Sequence, residues 1–296
     1  MNNKRWSLLS IVFIIIGIAG MAYEGFHFGD KLPYYEIKWQ LDSVQALHIK
    51  SNDNVEMNFI ESPDGRNYIE VSGNMNQGLI DKLEKSTVSG PDVSLDLRNP
   101  ETWNFMTINF QTTKQFITVA LTDPDLVDNI QVDLNHSNGT FNGLQAKQIE
   151  VTTESGNLKL DSAYAEQMIM KTISGNITLS AATGSAQLDV TSGNILVESL
   201  QGDIRAEGKS GNIKIYDLQG SGVISTTSGN VILKDQRSDQ LDISVKSGNV
   251  TLSPDQGFKG IYDLKADSGD IKAPDSPMET KDIIKVRTNS GNIKIQ

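Results

Sequence analysis

The sequence predicts an all-β fold, a parallel β-solenoid, preceded by one apolar segment at the N-terminus. Three observations predict it: a Ser-Gly-Asn or Ser-Gly-Asp tripeptide recurs at near-constant spacing, apolar residues occupy fixed positions around it, and an uncharged run lies near the start of the chain. With 296 residues, the chain is long enough to bury a sizeable core.

The tripeptide recurs throughout the C-terminal half of the chain. A degenerate earlier copy begins at Asn138. The steps between copies are 18 or 19 residues, except the last two, which are 21 and 22. A near-constant step of this size is typical of a solenoid, and we expect the two longer steps to contain bulged-out turns. The serines of the eight copies are Ser155, Ser174, Ser192, Ser210, Ser228, Ser247, Ser268 and Ser290.

Apolar residues form three columns around each tripeptide. In one repeat these are Ala206, Ile213 and Ile215, and each alternates with polar neighbours. Alternation with period two indicates two half-buried strands per repeat, and a second turn such as Gly202-Asp203 separates them. One repeat cannot bury its apolar face alone, so the repeats must stack. An antiparallel meander of hairpins is the alternative, but stacking of equivalent residues favours solenoid coils of about 18–22 residues.

The tripeptide itself is interpreted as a structural turn. Glycine adopts the positive φ that an outward corner demands, and asparagine tolerates left-handed geometry. Stacked asparagines can form a ladder of side-chain amides. We expect Asp270 to interrupt this ladder, because a carboxylate accepts hydrogen bonds but cannot donate them. The predicted turn ladder comprises Asn157, Asn176, Asn194, Asn212, Asn230, Asn249, Asp270 and Asn292.

The rest of the chain divides by composition into a short anchor and an irregular β region. Residues 1–23 are predicted as a transmembrane anchor and residues 24–42 as a stalk. Residues 43–136 read as an all-β N-terminal part or cap of the solenoid, with a short helix at 78–86. Residues 137–296 form the repeat solenoid.

The anchor is predicted from its length, its ends and the charges beside it. Residues 6–23 carry no charge, and as a helix they would span ~27 Å, about one hydrocarbon core. Lys4 and Arg5 precede the run, and Trp6 and Tyr23 stand at its two ends. The positive-inside rule then places the N-terminus in the cytoplasm and the C-terminal domain outside the membrane. A cleaved signal peptide is the alternative.

Charge and cysteine content exclude several classes of function. The net charge of −11 argues against nucleic-acid binding, which needs a concentrated cationic surface. The chain contains no cysteine, so it has no disulfide framework, thiol nucleophile or cysteine-based metal site.

Clusters of reactive side chains are also given structural interpretations. Asp123, Asp125, Asp128 and Asp133 match no calcium-loop spacing and read as a solvated edge. We predict no catalytic, cofactor-binding or metal-binding residue and no cofactor.

The three histidines and the polar residues of one repeat do not indicate a functional site either. His27, His48 and His136 are far apart in sequence and are expected to serve no common metal site. In the repeat, Lys214, Asp217 and Lys234 read as solvent-facing charges.

Three features point to a known family: the repeats "TSGNI" and "SGNIKI", the strand "FITVAL" at residues 116–121, and the single N-terminal span. In these features the chain resembles the bacterial putative-adhesin family, a domain of unknown function with SGN-type β-repeats. The resemblance covers residues 45–296, and LiaG-like proteins are its membrane-anchored members. It implies a right-handed parallel β-helix outside the cytoplasm and, for LiaG-like members, a link to envelope-stress operons. The family contributes no catalytic residues. Thr122-Asp123 before Pro124 departs slightly from its pattern.

The predicted function is a non-enzymatic, membrane-anchored cell-envelope protein that acts as a scaffold or interaction module, linked to envelope stress or adhesion. Its predicted partners are the membrane, through residues 6–23, and cell-wall or envelope proteins, with no nucleic acid. A carbohydrate-active or carbohydrate-binding β-helix protein is the alternative. Such a protein would line aromatic residues along one outer sheet, whereas Tyr216 and Tyr262 are isolated in the repeats.

Overall fold

The computed structural model describes residues 32–99, 113–238 and 240–296. The predicted anchor at residues 1–23 lies outside this part. Among the described residues, no helix has the length and apolar character needed to cross a bilayer.

The described residues form strands throughout, with one α-helix, α1 (Gln77–Lys85), and one 3-10 turn at Pro124–Leu126. The strands are β1 (Tyr34–Leu41), β2 (Ala46–Lys50), β3 (Asn54–Glu61), β4 (Asn67–Asn74), β5 (Asp92–Asp96), β6 (Lys114–Leu121), β7 (Asn129–Asp133), β8 (Gly139–Asn142), β9 (Gln145–Ser155), β10 (Leu158–Asp161), β11 (Tyr164–Ser174), β12 (Ile177–Ser192), β13 (Ile195–Gln201), β14 (Ile204–Ser210), β15 (Ile213–Gln219), β16 (Gly222–Ser228), β17 (Val231–Gln236), β18 (Gln240–Ser247), β19 (Val250–Pro254), β20 (Ile261–Ser268), β21 (Ile271–Lys272), β22 (Ile283–Ser290) and β23 (Ile293–Ile295).

Two parallel ladders build the body of the molecule. The first ladder stacks β5, β2, β7, β9, β11, β12, β14, β16, β18, β22 and β20. The second stacks β6, β3, β8, β10, β12, β13, β15, β17, β19, β23 and β21. The result is an all-β solenoid with a repeat spacing of about 19 residues. The solenoid is confirmed and the meander is excluded for the repeats, while the right hand of the coil stays a prediction.

Each regular coil also has a short third side between the two ladders. A residue with left-handed φ ends the second-ladder strand, for example Ser199 at 62° and Asp217 at 51°. The two residues that follow it, Leu200-Gln201 in one coil, pair in parallel with Leu218-Gln219 in the next. Because these corner residues share no chemical type, the sequence pattern predicted two strands per coil and missed this side.

The core lies between the ladders and contains the predicted apolar columns. Ile213 and Ile215 are 1% and 0% exposed. Exceptions fall in the outermost coil, where Leu264 is half-buried and Ile271 and Ala273 are exposed. They remain accessible because no further coil covers that end of the stack.

The opposite end is covered by antiparallel strands and the helix. Strand β4 pairs antiparallel with β6, and β1 pairs antiparallel with β4. The helix predicted at 78–86 is confirmed as α1, which buries Leu79, Ile80 and Leu83. Its N-cap residue, Asn76, accepts a 2.7 Å hydrogen bond from the Leu79 N–H. Strand β1 lies within the segment predicted as a stalk.

The coils at both ends are not stacked in sequence order. Strand β22 lies between β18 and β20, so Ser290 pairs with Ser247 on one side and with Ser268 on the other. At the N-terminal end, β2 similarly lies between β5 and β7. The expectation of bulged-out turns in the two longer steps is therefore wrong. The extra residues of the first step lead the chain past the level of β22 to β20, and those of the second step lead it back to β22.

Candidate binding site

The asparagines of the repeated turn bond to one another along one edge of the solenoid. The backbone N–H of Asn212 donates to the side-chain oxygen of Asn194 at 2.9 Å, and the N–H of Asn230 donates to that of Asn212 at the same distance. The Asn212 side-chain amide also donates to the Asn194 oxygen, at 3.4 Å. The ladder thus consumes its own donors and acceptors, which leaves it little to offer a ligand.

Asp270 stands at the end of this ladder, so the expectation that it interrupts the ladder is wrong. The Asn292 N–H donates to the side-chain oxygen of Asn249 at 2.8 Å, which continues the ladder across the inserted coil. The Asp270 N–H then donates to the Asn292 side chain, also at 2.8 Å.

The acidic residues after β6 lie exposed and are bound locally. Asp128 pairs with Lys147 at 2.6 Å. Asp123 accepts a hydrogen bond from the Asp125 N–H at the start of the 3-10 turn, at 3.2 Å. Within the described ranges, no group of three or more histidine, aspartate or glutamate side chains could hold a metal ion.

The described histidines and the polar residues of the repeat do not assemble into one site. His48 Nδ1 lies 3.2 Å from the Gln131 side-chain oxygen, and His136 lies 3.7 Å from the Glu154 carboxylate. His27 lies outside the described residues. Lys214 and Lys234 are exposed on strands of the second ladder.

Asp217 lies instead at the corner of the third side. It accepts hydrogen bonds from Arg237 at 2.7 Å and from Ser199 at 3.0 Å. The Arg237 hydrogen bond is the main reason why the pKa of Asp217 lies below its ordinary value.

A cavity of about 180 Å³ opens where the third side of the stack ends, and it is called the Gln236 cavity below. Three chain segments form it: the turn after β17, the connection from β19 to β20, and the residues just before β22. Its walls include Gln236, Arg237, Asp255, Phe258, Lys259 and Asp282.

The inverted order of the last coils explains why the cavity forms there. The third side is still regular at Arg237, which pairs in parallel with Gln219 in the preceding coil. Gln236 then faces Pro254, and the Asp255 N–H donates to the Gln236 carbonyl at 3.0 Å. After Asp255 the chain does not repeat the third side. It climbs to β20, two levels away, because β22 occupies the level between.

Gln236 is unusual because its buried side-chain amide lacks a protein partner. The side chain is 2% exposed, and neither its nitrogen nor its oxygen makes a hydrogen bond. Leucine occupies the equivalent position in the two preceding coils, as Leu200 and Leu218. A buried amide that is left unpaired costs about 1–3 kcal/mol, so Gln236 is a costly residue at a position where the preceding coils carry leucine.

The other walls of the cavity are held by their own interactions. Lys259 pairs with Glu279 at 3.0 Å, and Asp282 accepts a 2.6 Å hydrogen bond from Thr280. The ring of Phe258 packs against that of Tyr262 with centroids 5.0 Å apart. The cavity is therefore lined by fixed donors and acceptors beside one aromatic ring.

The sequence profile of one family matches residues 44–296, which cover most of the chain and all of its repeats. The chain belongs to the Toastrack DUF4097 family. This confirms the resemblance stated above, while membership of the LiaG-like group stays a prediction. No curated protein matches this Toastrack chain.

Several solved structures are similar to this Toastrack chain at low identity. A putative adhesin from Bacteroides fragilis NCTC 9343 is 14% identical with a TM-score of 0.44, over 89% of this chain and 97% of that one. A putative adhesin from Parabacteroides distasonis ATCC 8503 is 11% identical with a TM-score of 0.39, over 88% and 97%. A putative lipid binding protein from the same strain is 14% identical with a TM-score of 0.36, over 89% and 96%.

Sequence reasoning missed the Gln236 cavity in this Toastrack domain, although one signal was present. The third side carries an inward column that includes Ala182, Leu200 and Leu218, and Gln236 is its polar exception. Gln236 can be recognised as an exception only when the column is known. The column can be identified only when the left-handed corner residue before it is located, and that residue has no sequence signature.

Proposed function

We propose that this Toastrack chain is a non-enzymatic module that is anchored in the membrane and binds a partner on its outer side. The observation that carries the proposal is the Gln236 cavity, where a buried amide lacks a partner at the point where the third side of the stack ends. Two of the three buried side-chain polar atoms that lack a partner among the described residues belong to Gln236, and the third is the Thr226 hydroxyl. Gln236 therefore offers both an unused donor and an unused acceptor at one position.

The composition of the cavity supports binding rather than catalysis. Its lining contains neither histidine nor cysteine. Its buried serine, Ser238, donates its hydroxyl to the backbone oxygen of Gln240 at 3.1 Å, so it is not held by a general base. Nucleophilic catalysis needs a hydroxyl beside a base that is itself oriented by a third group.

The anchor and the envelope location are the sequence-based parts of the proposal. Residues 6–23 hold the chain in the membrane, and Lys4 and Arg5 keep the N-terminus in the cytoplasm. The solenoid then acts in the cell envelope, as an interaction module in adhesion or in the response to envelope stress. Acidic net charge suits a soluble domain that does not adhere to anionic lipid.

Site-specific photocrosslinking of the full chain in cells tests this function. A photoreactive residue replaces Asp255 at the cavity or, as the control, Glu61 at the opposite end; both are exposed carboxylates without an ion pair among the described residues. We expect crosslinked adducts from position 255 and none from position 61. In a separate experiment, protease added to intact spheroplasts should digest the solenoid. Equal labelling at both positions would refute the binding role, and protection from protease would refute the topology.

A further inference from the structure

We propose that the Gln236 cavity binds a single sugar residue, as the end of a glycan or as a free saccharide. This inference rests on the proposed binding function and names the ligand class of the same site. The size of the cavity, the unpartnered amide and the residues around it support a sugar as the ligand.

The size of the cavity limits the occupant to one small unit. Its volume of about 180 Å³ is room for about six water molecules at ~30 Å³ each. Pockets for drug-sized ligands start at about 300 Å³. A helix, a strand or a folded partner therefore does not fit inside, whereas one six-membered sugar ring does.

The Gln236 amide selects a ligand that both donates and accepts hydrogen bonds. Its nitrogen donates and its oxygen accepts, and both atoms are unpaired. A simple anion would satisfy the nitrogen alone, and a simple cation the oxygen alone. Two neighbouring hydroxyl groups of a sugar can satisfy both atoms at once, because each hydroxyl donates and accepts.

The wall residues favour a ligand rich in hydroxyl groups over a peptide unit. Asp255 and Asp282 both line the cavity, and their carboxylates can accept further hydrogen bonds from a ligand that donates them. A peptide unit supplies one N–H, whereas a sugar supplies several O–H groups in the same volume. Phe258 adds an aromatic ring, which suits the apolar C–H face of a sugar ring.

Access to the amide requires a small movement. Both polar atoms of Gln236 lie beneath the molecular surface, so the side chain turns toward the cavity when the ligand enters. Asp255, Gly257, Phe258 and Lys259, which line the cavity together with Gln236, belong to the connection between β19 and β20. Glutamine has three rotatable bonds, and a change of rotamer does not disturb the backbone of the coil.

This site differs from an extended glycan track along an outer sheet. A track would need aromatic residues repeated from coil to coil, whereas Tyr216 lies between Glu198 and Lys234 of the adjacent coils and Tyr262 pairs with Ile284. The Gln236 cavity lies at one end of the stack and contains a single aromatic residue in its lining, Phe258. It is therefore suited to one sugar residue.

The test measures binding of small probes to the full chain in detergent micelles. The probes are the methyl glycosides of glucose and N-acetylglucosamine, with glycylglycine amide as the peptide comparator, measured by saturation-transfer NMR and calorimetric titration. The main variant is Gln236→Leu, which restores the residue of the two preceding coils. The matched control is Gln201→Leu, an exposed glutamine on the same side two coils away.

We expect at least one glycoside to bind saturably, with about 10-fold weaker binding in Gln236→Leu and unchanged binding in Gln201→Leu. Gln236→Leu should melt at the same temperature as the wild type or higher, which separates lost binding from lost folding. Asp255→Asn, at an exposed position, should also weaken binding without lowering the melting temperature.

Three results would overturn the sugar proposal. The first is saturable binding of the dipeptide alone, and the second is equal glycoside binding by Gln236→Leu and the wild type. The third is no glycoside binding at all, in which case a bound water completes the hydrogen bonds of the amide. In each case, specific crosslinks from position 255 would leave the general binding function standing. Absence of those crosslinks would refute that function separately.

Discussion

The backbone N–H of Asp270 donates to the side-chain oxygen of Asn292 at 2.8 Å, although Asn292 follows Asp270 by 22 residues. The bond shows that the last coil of the sequence lies inside the stack and that Asp270 closes the turn ladder from outside. A carboxylate is acceptable at the outermost rung because no further coil bonds to it. Its charge also disfavours pairing of this end with another chain.

The cost of removing a ladder side chain should therefore depend on its place in the stack. Asn212→Ala removes the acceptor for the Asn230 N–H and should cost about 1–2 kcal/mol, and Asn230→Ala should behave alike. Asp270→Ala should cost less than about 0.5 kcal/mol, since its side chain makes no hydrogen bond among the described residues. Thermal melting of the three variants measures this. Equal losses in all three would show that the ladder does not contribute as described.

Two neighbouring residues of β15 should respond differently to a charged substitution, because Ile213 is buried and Lys214 is exposed. Ile213→Asp places a carboxylate in the core and should cost several kcal/mol, whereas Lys214→Glu on the exposed face should stay within about 0.5 kcal/mol. The control is Ile271→Asp, the same change in the same apolar column but in the outermost coil, where Ile271 is 46% exposed. We expect it to be tolerated, as judged by circular dichroism and melting temperature. Comparable melting of the Ile213 and Ile271 variants would contradict the assigned end of the stack.

The regular part of the fold could be predicted from sequence because each coil repeats the same physical requirement. Apolar residues at Ile213 and Ile215 recur coil after coil, and so does the turn before them. The order of the end coils could not be predicted in this way. Asn249 bonds to Asn292 across 43 residues, and a repeat pattern specifies which residues are equivalent but not which copies are adjacent.

The candidate site was missed for a related reason. The cavity exists because the chain departs from the repeat between Asp255 and Gly260, and departures carry no periodic signal. Gln236 is recognisable only beside Leu200 and Leu218, once the third side is known.

The ion pair at the third side should make stability depend on pH. Arg237 lowers the pKa of Asp217, so the carboxylate stabilises the folded state above its unfolded pKa of about 3.9, and that stabilisation is lost as pH falls through the lower folded pKa. Arg237→Gln should therefore lower the melting temperature at pH 6 and have a smaller effect at pH 2. Arg66→Gln, at an exposed arginine without an ion pair in the described residues, is the control. An equal loss for Arg237→Gln at both pH values would mean that the charge of Asp217 is not involved.

Two glycines in the same region should respond oppositely to alanine. Gly211 lies at the corner of the repeated turn with φ of 130°, and an added Cβ would come within 1.9 Å of the Gly193 carbonyl oxygen. Gly208, in β14, has ordinary φ, and its Cβ would meet the Thr226 hydroxyl at 3.5 Å, an ordinary contact. Gly211→Ala should thus force adjacent coils apart and cost several kcal/mol.

Gly208→Ala should instead be neutral or stabilise the fold by up to about 1 kcal/mol, because it reduces the freedom of the unfolded chain without strain. Melting temperature and resistance to protease measure both variants. If Gly211→Ala melted with the wild type, the close approach of successive turns would not hold in solution. The turns at Gly211 and Gly193, whose stacking aligns the asparagines of the ladder, would then have to lie farther apart. In the structure, a Cβ added at Gly211 lies only 1.9 Å from the Gly193 carbonyl oxygen.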